Sequence, residues 1–354
     1  MPLLQILLFP FSILYDAVTR LRNHLYDIGS KPAIHFETVT VSVGNLAVGG
    51  TGKSPMVEYL VRLLKNQYKV ATLSRGYGRK TKGVFLASEQ STAANIGDEP
   101  MQFYRKFRSS ATIAVGEERA IAIPEILFHH PDTEVIILDD AYQHRKVARD
   151  LNILLTAYDS PFFKDYVLPA GRLREARKGA QRADVIVVTK CPETLSEETK
   201  TTFVQSIRQY AMPKVPVYFS GTRYKNPQAV YGTSVAPEGK VLLISGLAKA
   251  DHFEQFVRKK YEVVRHLAYG DHHYYTIEDV QRIKEEFIQS KGDFLLTTEK
   301  DMVKLLPSEI QEVLEDLPIF YLPIETYILD NENAFIEEVL NSVRKRKDSL
   351  QGII

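Results

Sequence analysis

The chain has 354 residues, enough for two domains or one large one, and 44% of them are hydrophobic, so a sizeable core is available. Its 45 basic and 44 acidic residues leave a formal net charge of +1. No overall charge bias therefore favours nucleic acid, and an anionic partner would have to meet a local basic patch. Cys191 is the single cysteine, which excludes a disulfide framework or a thiolate metal cluster within one chain and suits a reducing compartment.

The first segment of the chain is unusually apolar over residues 1–18. It is shorter than the roughly 20 apolar residues that a spanning helix needs, and it contains Asp16. Basic residues follow this run rather than precede it, unlike in a signal peptide. Polar residues fall on one helical face: Gln5, Ser12, Asp16 and Thr19. We interpret residues 1–30 as a helical segment that lies on an anionic membrane surface, with a helix packed on the protein's own core as the alternative.

A glycine-rich turn follows the β-branched run Val39–Val43 and ends in Gly52-Lys53-Ser54, directly before an apolar helical pattern. This strand–loop–helix context is typical of a P-loop, in which backbone amides and the helix N-terminus bind a polyphosphate. Lys53 would reach the β- and γ-phosphates, and the Ser54 hydroxyl would ligate Mg²⁺. Ala47 stands where the full pattern has its first glycine, and an ordinary glycine-rich turn is the alternative. The predicted phosphate-binding residues are Gly49, Gly50, Thr51, Gly52, Lys53 and Ser54.

Strand and helix signals alternate from about residue 38 to 220, which indicates a parallel sheet with helices on both faces. The predicted strands are Val39–Val43, Val70–Ser74, Thr112–Val115, Val135–Asp139, Asn152–Thr156, Val185–Thr189 and Val215–Phe219. The predicted helices are Pro55–Asn66, Glu99–Phe107, Glu117–Phe128 and Glu197–Ala211. We therefore predict an α/β fold of the P-loop NTPase type, joined by a short linker to a second, smaller α/β domain. The expected boundaries are 1–30 for the membrane segment, 31–220 for the core, 221–240 for the linker, 241–330 for the second domain and 331–354 for a C-terminal helix.

Two acids end the apolar run Val135–Leu138, namely Asp139 and Asp140. A buried strand that delivers carboxylates beside a P-loop is the Walker B arrangement, which positions Mg²⁺. A strand with solvated acids at its end is the alternative.

Asp98 lies just before a predicted helix, where it is a candidate for the carboxylate that a phosphate-accepting hydroxyl needs within hydrogen-bond reach. A simple helix cap is the alternative. His272 and His273 follow Asp271, and because adjacent side chains point in different directions, joint binding of one metal ion by both histidines is not expected. One histidine that tunes another base is the functional interpretation, and exposed loop histidines are the alternative.

Two basic stretches suit an anionic substrate or a triphosphate. Residues 171–178 contain Arg172 and Arg174 together with Glu175, which could approach the metal, although a solvated helix start would look similar. Arg75 stands at the end of a predicted strand, a favourable place to contact phosphate.

The choice between ATP and GTP depends on the segment Thr189-Lys190-Cys191-Pro192, which partly matches the element with which GTPases recognise guanine. Pro192 occupies the position where that element requires aspartate. Thr298-Glu299-Lys300-Asp301 also contains lysine and aspartate, but they are adjacent, whereas the guanine-reading element has one residue between them. The sequence thus favours ATP over GTP.

Several motifs together resemble the tetraacyldisaccharide 4′-kinase family, the lipid A 4′-kinases, over nearly the whole chain. They are Asn45-Leu46 with Gly49-Gly50-Thr51-Gly52-Lys53-Ser54-Pro55, Ser74-Arg75-Gly76-Tyr77-Gly78, Gly97-Asp98-Glu99-Pro100, Asp139-Asp140-Ala141-Tyr142-Gln143-His144, Leu168-Pro169-Ala170-Gly171-Arg172-Leu173-Arg174-Glu175, Asp271-His272-His273 and Thr298-Glu299-Lys300-Asp301. The resemblance implies a membrane-associated kinase that transfers the ATP γ-phosphate to the 4′-hydroxyl of a tetraacylated glucosamine disaccharide 1-phosphate. Ala141 departs from the glycine that the family usually has after the acid pair.

The resemblance also implies roles for individual residues. Asp98 would be the base, paired with the histidine after Asp271, which we assign to His272 with His273 as the alternative, and Lys53 completes the catalytic set. Metal binding is implied for Ser54, Asp139, Asp140 and Glu175, and nucleotide contacts for Arg75 and Gln143. Substrate contacts are implied for Asn45, Glu99, Arg172 and Arg174. Because Asp98 and His272 fall in different predicted domains, a closure step is expected.

The implied cofactors are ATP and Mg²⁺, and the implied partners are the acylated lipid and the membrane surface, with no nucleic acid and no obligatory protein partner. The implied location is the cytoplasmic face of the inner membrane, as a peripheral or monotopic protein. One alternative is a P-loop GTPase or metallochaperone, and another is a non-catalytic, nucleotide-gated membrane adaptor.

Overall fold

The computed structural model describes residues 3–232, 236–247 and 250–352. Contacts between Cα atoms divide the chain into two compact units. The first unit contains the chain up to Arg75, the segment Phe107–Thr222 and the chain from Thr326 onward. The second contains Gly76–Lys106 and Arg223–Glu325.

The helices are α1 (Leu3–Asp27), α2 (Lys53–Leu64), α3 (Ala93–Ile96), α4 (Asp98–Phe107), α5 (Arg119–His129), α6 (Glu197–Arg208), α7 (Asp251–Arg258), α8 (Ile277–Ser290), α9 (Glu299–Met302), α10 (Ser308–Leu314) and α11 (Glu332–Gln351). The strands are β1 (Val39–Asn45), β2 (Val70–Ser74), β3 (Phe85–Leu86), β4 (Ala111–Val115), β5 (Val135–Asp139), β6 (Leu151–Ala157), β7 (Val185–Thr189), β8 (Val217–Tyr224), β9 (Gln228–Ala229), β10 (Lys240–Ser245), β11 (Glu262–Ala268), β12 (Phe294–Thr298), β13 (Ile319–Leu322) and β14 (Ile324–Ile328). Short 3-10 helices occur at Phe162–Lys164 and Arg177–Arg182.

The sheet of the first unit has the strand order β14-β8-β7-β6-β1-β5-β2-β4. The central strand β1 is buried along its whole length and pairs in parallel with β5 on one side and β6 on the other. Parallel pairing continues from β5 to β2 and β4, and from β6 to β7 and β8. The carboxyl ends of these strands therefore lie at one edge of the sheet, where doubly wound folds bind ligands.

Most predicted strands of this unit are observed within one or two residues, and β2, β5 and β7 have the predicted bounds. This agreement is expected because each is a short, fully buried apolar run, the signature of a parallel strand covered on both faces. Helix α2 begins at Lys53 rather than at Pro55, directly after the left-handed residue Gly52. The predicted α/β fold with a parallel sheet is confirmed.

The second unit is built on a five-stranded sheet with the order β11-β10-β12-β13-β9. Strands β10, β11, β12 and β13 are parallel to their neighbours, whereas the short β9 pairs antiparallel with β13. Apolar clusters cover the sheet, one around Leu242, Ile244 and Leu295 and another around Val241, Leu243 and Phe294. These alternating residues of β10 show that both faces of the sheet are buried.

The segment 76–106 belongs to this second unit, whereas the sequence signals assigned it to the P-loop core. Its contacts with residues 223–325 include a hydrogen bond from the Tyr274 hydroxyl to Gly78 O (2.7 Å) and an ion pair between Lys106 and Glu299 (2.6 Å). Helical periodicity cannot reveal which sheet a crossover segment packs against. The assumption that Asp98 and His272 lie in different domains is therefore wrong, and the closure step inferred from it loses its basis.

Helix α1 packs on the first unit through its polar face. Ser12 is 5% exposed and its hydroxyl accepts a hydrogen bond from Ala170 N (2.9 Å), and the Arg22 guanidinium donates to Gln143 O (2.6 Å). The rest of the helix surface exposes large apolar side chains, although Phe9 and Tyr15 also contact the first unit at Tyr166 and Arg174. They are Ile6, Leu7, Phe9, Phe11, Ile13, Leu14, Tyr15, Val18 and Leu21. The helix thus has the reverse of the usual arrangement, in which a surface helix buries its apolar stripe.

None of the helices in the described ranges has the length and apolar character required to cross a bilayer.

Candidate active site

The P-loop turn is fixed by hydrogen bonds at its centre. Asn45 Nδ2, at the end of β1, donates to Thr51 Oγ1 (2.8 Å), and Thr189 Oγ1, at the end of β7, donates to Thr51 O (2.8 Å). Gly49 and Gly52 have φ values of 109° and 80°, a backbone region in which a side chain is strained. The turn therefore connects β1 to α2 in a conformation that depends on glycine, as the sequence predicts for a phosphate-binding loop.

The two predicted Walker B acids lie beside β1. Asp139 is the last residue of β5 and pairs in register with Val43, and its Oδ2 accepts a hydrogen bond from Ser74 Oγ (3.2 Å). Asp140 follows with φ 47°, a positive value that turns the chain sharply at the strand end. Asp139 is 4% exposed, so the alternative of solvated acids does not apply to it.

Two positively charged side chains, Lys53 and Arg174, lie beside the Asp140 carboxylate. Lys53 Nζ lies 3.6 Å from Asp140 Oδ1, and Arg174 Nη1 donates to the same oxygen at 2.9 Å. Burial alone would raise the pKa of Asp140, but the charges of Lys53 and Arg174 outweigh it and hold this pKa below its usual value. Arg174, which the resemblance assigned to the substrate, is thus brought to the P-loop lysine and the Walker B acid.

Among the predicted metal ligands, Glu175 has both carboxylate oxygens bound by donors from three different residues. Its Oε1 accepts from Arg182 Nη2 (2.8 Å) and Gln143 Nε2 (2.9 Å), and its Oε2 accepts from Asn23 Nδ2 (2.6 Å). Glu175 as a whole residue is 2% exposed. Glu175 therefore acts in this structure as an anchor for Gln143 and for helix α1, a role that the sequence did not reveal.

Gln143 connects this anchor to the P-loop strand, because its Nε2 also donates to Asn45 O (2.9 Å). Its neighbour Tyr142 lies against β1 so closely that a Cβ on Gly44 would be 2.7 Å from Tyr142 Cβ. Gly44 is required for this approach, which brings residues 140–143 to the end of β1. Ala141, which differs from the family's usual glycine, is fully buried here.

The other two predicted arginines of this unit are exposed. Arg172 Nε donates to Asp165 Oδ2 (2.8 Å), and about half of the Arg172 side chain remains accessible. Arg75 follows β2 at the carboxyl edge of the sheet. The sequence also missed Arg119, the first residue of α5, which is 2% exposed and donates to Asp139 O (3.0 Å). Burial lowers the pKa of Arg119 to about 10; an arginine at a helix start gives no sequence signal that it will be buried.

In the second unit, Asp98 and His272 are brought together although 174 positions separate them. Asp98 is the first residue of α4 and is 1% exposed, and its Oδ2 lies 3.0 Å from His272 Nδ1. His273 instead lies 2.8 Å from Asp279 Oδ2 and stacks on the Tyr269 ring. The geometry thus decides between the two histidines in favour of His272. Glu99, the next residue of α4, is half-buried.

The far side of the His272 ring also has partners. Lys300 Nζ lies 3.2 Å from His272 Nε2 and 2.8 Å from Asp271 Oδ1, and the Tyr77 ring centroid is 5.0 Å from that of His272. His272 has φ 57°, so the loop turns at this residue to present the ring to Asp98. Asp98, His272 and Lys300 form a connected polar group within this unit.

A model of the tetraacyldisaccharide-1-P 4′-kinase family, LpxK, matches residues 4–344. This chain belongs to that family. A tetraacyldisaccharide 4′-kinase of Flavobacterium psychrophilum is 41% identical over 341 residues, which cover 95% of this chain and 96% of the relative. The tetraacyldisaccharide 4′-kinase of Bacteroides thetaiotaomicron is 39% identical over 357 residues, with 96% and 93% covered. The 4′-kinase family thus accounts for nearly the whole chain.

A solved member of the 4′-kinase family has the same fold. The crystal structure of LpxK from Aquifex aeolicus in complex with ATP superimposes with a TM-score of 0.76 and 29% identity, covering 96% of this chain and 100% of that one. Membership in the 4′-kinase family makes this chain a kinase that acts on a sugar hydroxyl, rather than a GTPase, a metallochaperone or a non-catalytic adaptor.

Two observations bear on metal binding by this family member. Burial raises the pKa of the Cys191 thiol to about 12, so this cysteine is a packing residue rather than a thiolate ligand. Residues 3–232, 236–247 and 250–352 contain no cluster of three or more His, Cys, Asp or Glu residues with the arrangement of a metal site.

Proposed function

We propose that this chain transfers the γ-phosphate of ATP to the 4′-hydroxyl of a tetraacylated glucosamine disaccharide 1-phosphate, a step of lipid A biosynthesis, at a membrane surface. The observation that carries the proposal is the buried carboxylate of Asp98 with His272 at one of its oxygens, in a chain that also has a P-loop. A positioned carboxylate is the group that a phosphate-accepting hydroxyl needs within hydrogen-bond reach.

The nucleotide site is proposed at the carboxyl edge of the first unit's sheet. The amides of residues 49–54 and the N-terminus of α2 would hold the phosphates, with Lys53 at the β- and γ-phosphates. Arg75 and Gln143 are proposed to line this site, and Arg174 is proposed to help neutralise the phosphates from its place beside Asp140. Pro192, where guanine recognition requires aspartate, supports ATP rather than GTP.

Magnesium fits the donors at this edge, because carboxylate and hydroxyl oxygens are the ligands it prefers. We propose that Asp139, Asp140 and the Ser54 hydroxyl hold the ion together with the phosphates, where it would neutralise charge that develops during transfer. Glu175 is left out of this set because its buried carboxylate is held by three residues, Arg182, Gln143 and Asn23, the last of which belongs to helix α1.

Asp98 is proposed as the base for the acceptor hydroxyl. The O–H bond breaks, the proton passes to Asp98, the hydroxyl oxygen bonds to the γ-phosphorus, and the bond to the bridging oxygen breaks to release ADP. His272 occupies Oδ2, whereas Oδ1 is buried and has no hydrogen-bond partner among the described residues. We propose Oδ1, the oxygen without a protein partner among these residues, as the atom that takes the proton, and His272 as the residue that orients the carboxylate.

The lipid explains the unusual exposure of α1. Four acyl chains cannot leave the bilayer cheaply, at about 0.8 kcal/mol per methylene, so the kinase must reach the substrate at the membrane. We propose that the apolar face of α1 inserts into the interface on the cytoplasmic face of the inner membrane, where ATP is present, as a peripheral or monotopic anchor. Arg172, Glu99 and Asn45 are proposed to contribute to substrate binding, with the exposed Arg172 guanidinium at the 1-phosphate.

Mass analysis after incubation with ATP, Mg²⁺ and the disaccharide 1-phosphate in detergent micelles tests the proposal. The lipid should gain one phosphoryl group, and GTP should not replace ATP. Asp98→Asn should lower kcat by about 10²- to 10⁴-fold, the usual contribution of a positioned base, while ATP binding survives. Full turnover by this variant would remove Asp98 from the mechanism.

Two matched controls are available in the same unit. His272→Ala should lower kcat, whereas His273→Ala should not, because His273 contacts Asp279 and not Asp98. Asp279→Asn likewise removes a carboxylate paired with histidine but leaves Asp98 intact. Equal losses in His272→Ala and His273→Ala would contradict the role given to His272.

A further inference from the structure

A buried lysine lies beside Asp98 in the second unit and has no place in the mechanism above. Lys304 follows α9 and is 3% exposed. Its Nζ lies 3.8 Å from Asp98 Oδ2 and 2.7 Å from Asp301 Oδ1, and it sits 5.5 Å from the centroid of the Tyr275 ring. One ammonium group is thus in contact with two buried carboxylates.

Asp301 is held firmly by its surroundings. Its Oδ2 accepts hydrogen bonds from Gly246 N (2.8 Å) and from Thr298 Oγ1 (2.6 Å), and Thr298 Oγ1 in turn accepts from Asp301 N (3.1 Å). Asp301 is fully buried. The remaining oxygen, Oδ1, faces Lys304 and therefore fixes where the ammonium stands.

The cost of burying charge makes this arrangement informative. A buried ammonium or carboxylate is strongly disfavoured unless an opposite charge and hydrogen bonds compensate it. The ammonium of Lys304 lies within ion-pair distance of Asp301 Oδ1 and also of Asp98 Oδ2, so its charge compensates both carboxylates. With Lys304 absent, Asp98 Oδ2 would lose the ammonium and keep its contact with His272 Nδ1.

We propose that Lys304, seated by Asp301, is a positioning residue that balances the charge of Asp98 and fixes its carboxylate. His272 and Lys304 both approach Oδ2, so together they set the rotation of the carboxylate and leave Oδ1 for the acceptor hydroxyl. The inference rests on the proposed role of Asp98 as base. It predicts that kcat depends on Lys304 itself, whereas folding stability depends on the balance between Lys304 and Asp301.

Three variants separate these dependences. Lys304→Met keeps the length of the side chain but leaves two buried acids without the ammonium, so Tm and kcat should both fall. Asp301→Asn removes the charge that seats the ammonium, so Tm should fall. Its kcat should fall less than that of Lys304→Met, because the ammonium itself remains. The double variant Lys304→Met with Asp301→Asn removes one charge of each sign and should recover most of the lost Tm. Its kcat should nevertheless remain about 10- to 100-fold below that of wild type, the effect of a misplaced catalytic group. The KM for ATP and the KM for the lipid should both stay within about twofold of wild type.

Lys284→Met is the matched control, because it also removes a partly buried lysine of this unit, one that donates to Val313 O (3.1 Å). Its kcat should equal that of wild type. The inference is overturned if the double variant regains wild-type kcat along with its Tm, or if Lys304→Met folds and turns over at the wild-type rate. Asp98→Asn distinguishes this failure from that of the proposed function: full activity there refutes the role of Asp98 itself.

Discussion

Replacing Phe11, Leu14 and Leu21 by serine should release the protein from anionic vesicles. These three side chains share the outer face of α1, with exposed fractions of 63%, 66% and 61%. Complete burial of a large apolar side chain contributes about 1.5–3 kcal/mol. With roughly two thirds of that surface still available to the bilayer, each residue should contribute about 1–2 kcal/mol and the three together about 3–6 kcal/mol. At about 1.4 kcal/mol per factor of ten, partitioning should fall by roughly 10²- to 10⁴-fold.

The assay is sedimentation with sucrose-loaded vesicles of phosphatidylethanolamine and phosphatidylglycerol over a range of lipid concentrations. The matched control replaces Ile121 and Phe128 by serine on α5, where they are 63% and 80% exposed. This control removes comparable exposed apolar surface from a different helix and should bind vesicles as wild type does. Since all five side chains already contact water, the Tm of both variants should stay close to that of wild type.

Two results would refute the reasoning. A loss of partitioning smaller than about tenfold in the α1 variant would mean that its apolar face does not enter the bilayer. An equal loss in the α5 control would mean that binding follows exposed apolar surface in general and not helix α1.

Three further predictions concern the first unit. Asn23→Ala should lower Tm, because Glu175 Oε2 loses the 2.6 Å hydrogen bond from α1 at a cost of about 1–3 kcal/mol for a buried acceptor. It should also lower kcat several-fold by releasing Gln143, which Glu175 holds. An unchanged Tm in calorimetry would count against the proposed anchor. Gly52→Ala should reduce ATP affinity, because its φ of 80° is strained for alanine at a cost of about 1–2 kcal/mol. Gly29→Ala is the control: its φ of 74° carries a similar cost, an added Cβ meets no atom within 4 Å, and ATP binding should not change. Equal ATP titration curves for the two variants would contradict this. Burial, assisted by the charge of Arg119, lowers the pKa of His144 from 6.5 to about 4. As the pH drops, His144 is therefore protonated in the unfolded chain before it is protonated in the folded protein. Folding stability should thus fall as the pH drops from about 6.5 towards 4. His144→Gln should flatten that part of the Tm–pH curve, and an unchanged slope would exclude His144 as its cause.

The sequence by itself determined those features that depend on residues close together in the chain. The apolar runs of β2, β5 and β7 are strands that are buried on both faces. Such a run can be recognised in the sequence without knowing which residues cover it. The P-loop is equally local, since β1, the glycines and Lys53 are contiguous and the strained turn needs glycine wherever the rest of the chain lies. The order of several such motifs, each short, was sufficient to identify the family.

Only the tertiary structure decided which groups meet across long separations. It selected His272 over His273 as the partner of Asp98, and it placed Lys304 beside them, although nothing about an isolated lysine in sequence indicates burial. It also showed that Arg182, Gln143 and Asn23 bind the oxygens of Glu175, and that α1 turns its polar face to the protein. The physical reason is that periodicity reports the direction of a side chain within its own element, whereas the partner opposite that side chain, which sets its charge and hydrogen bonding, is chosen by packing.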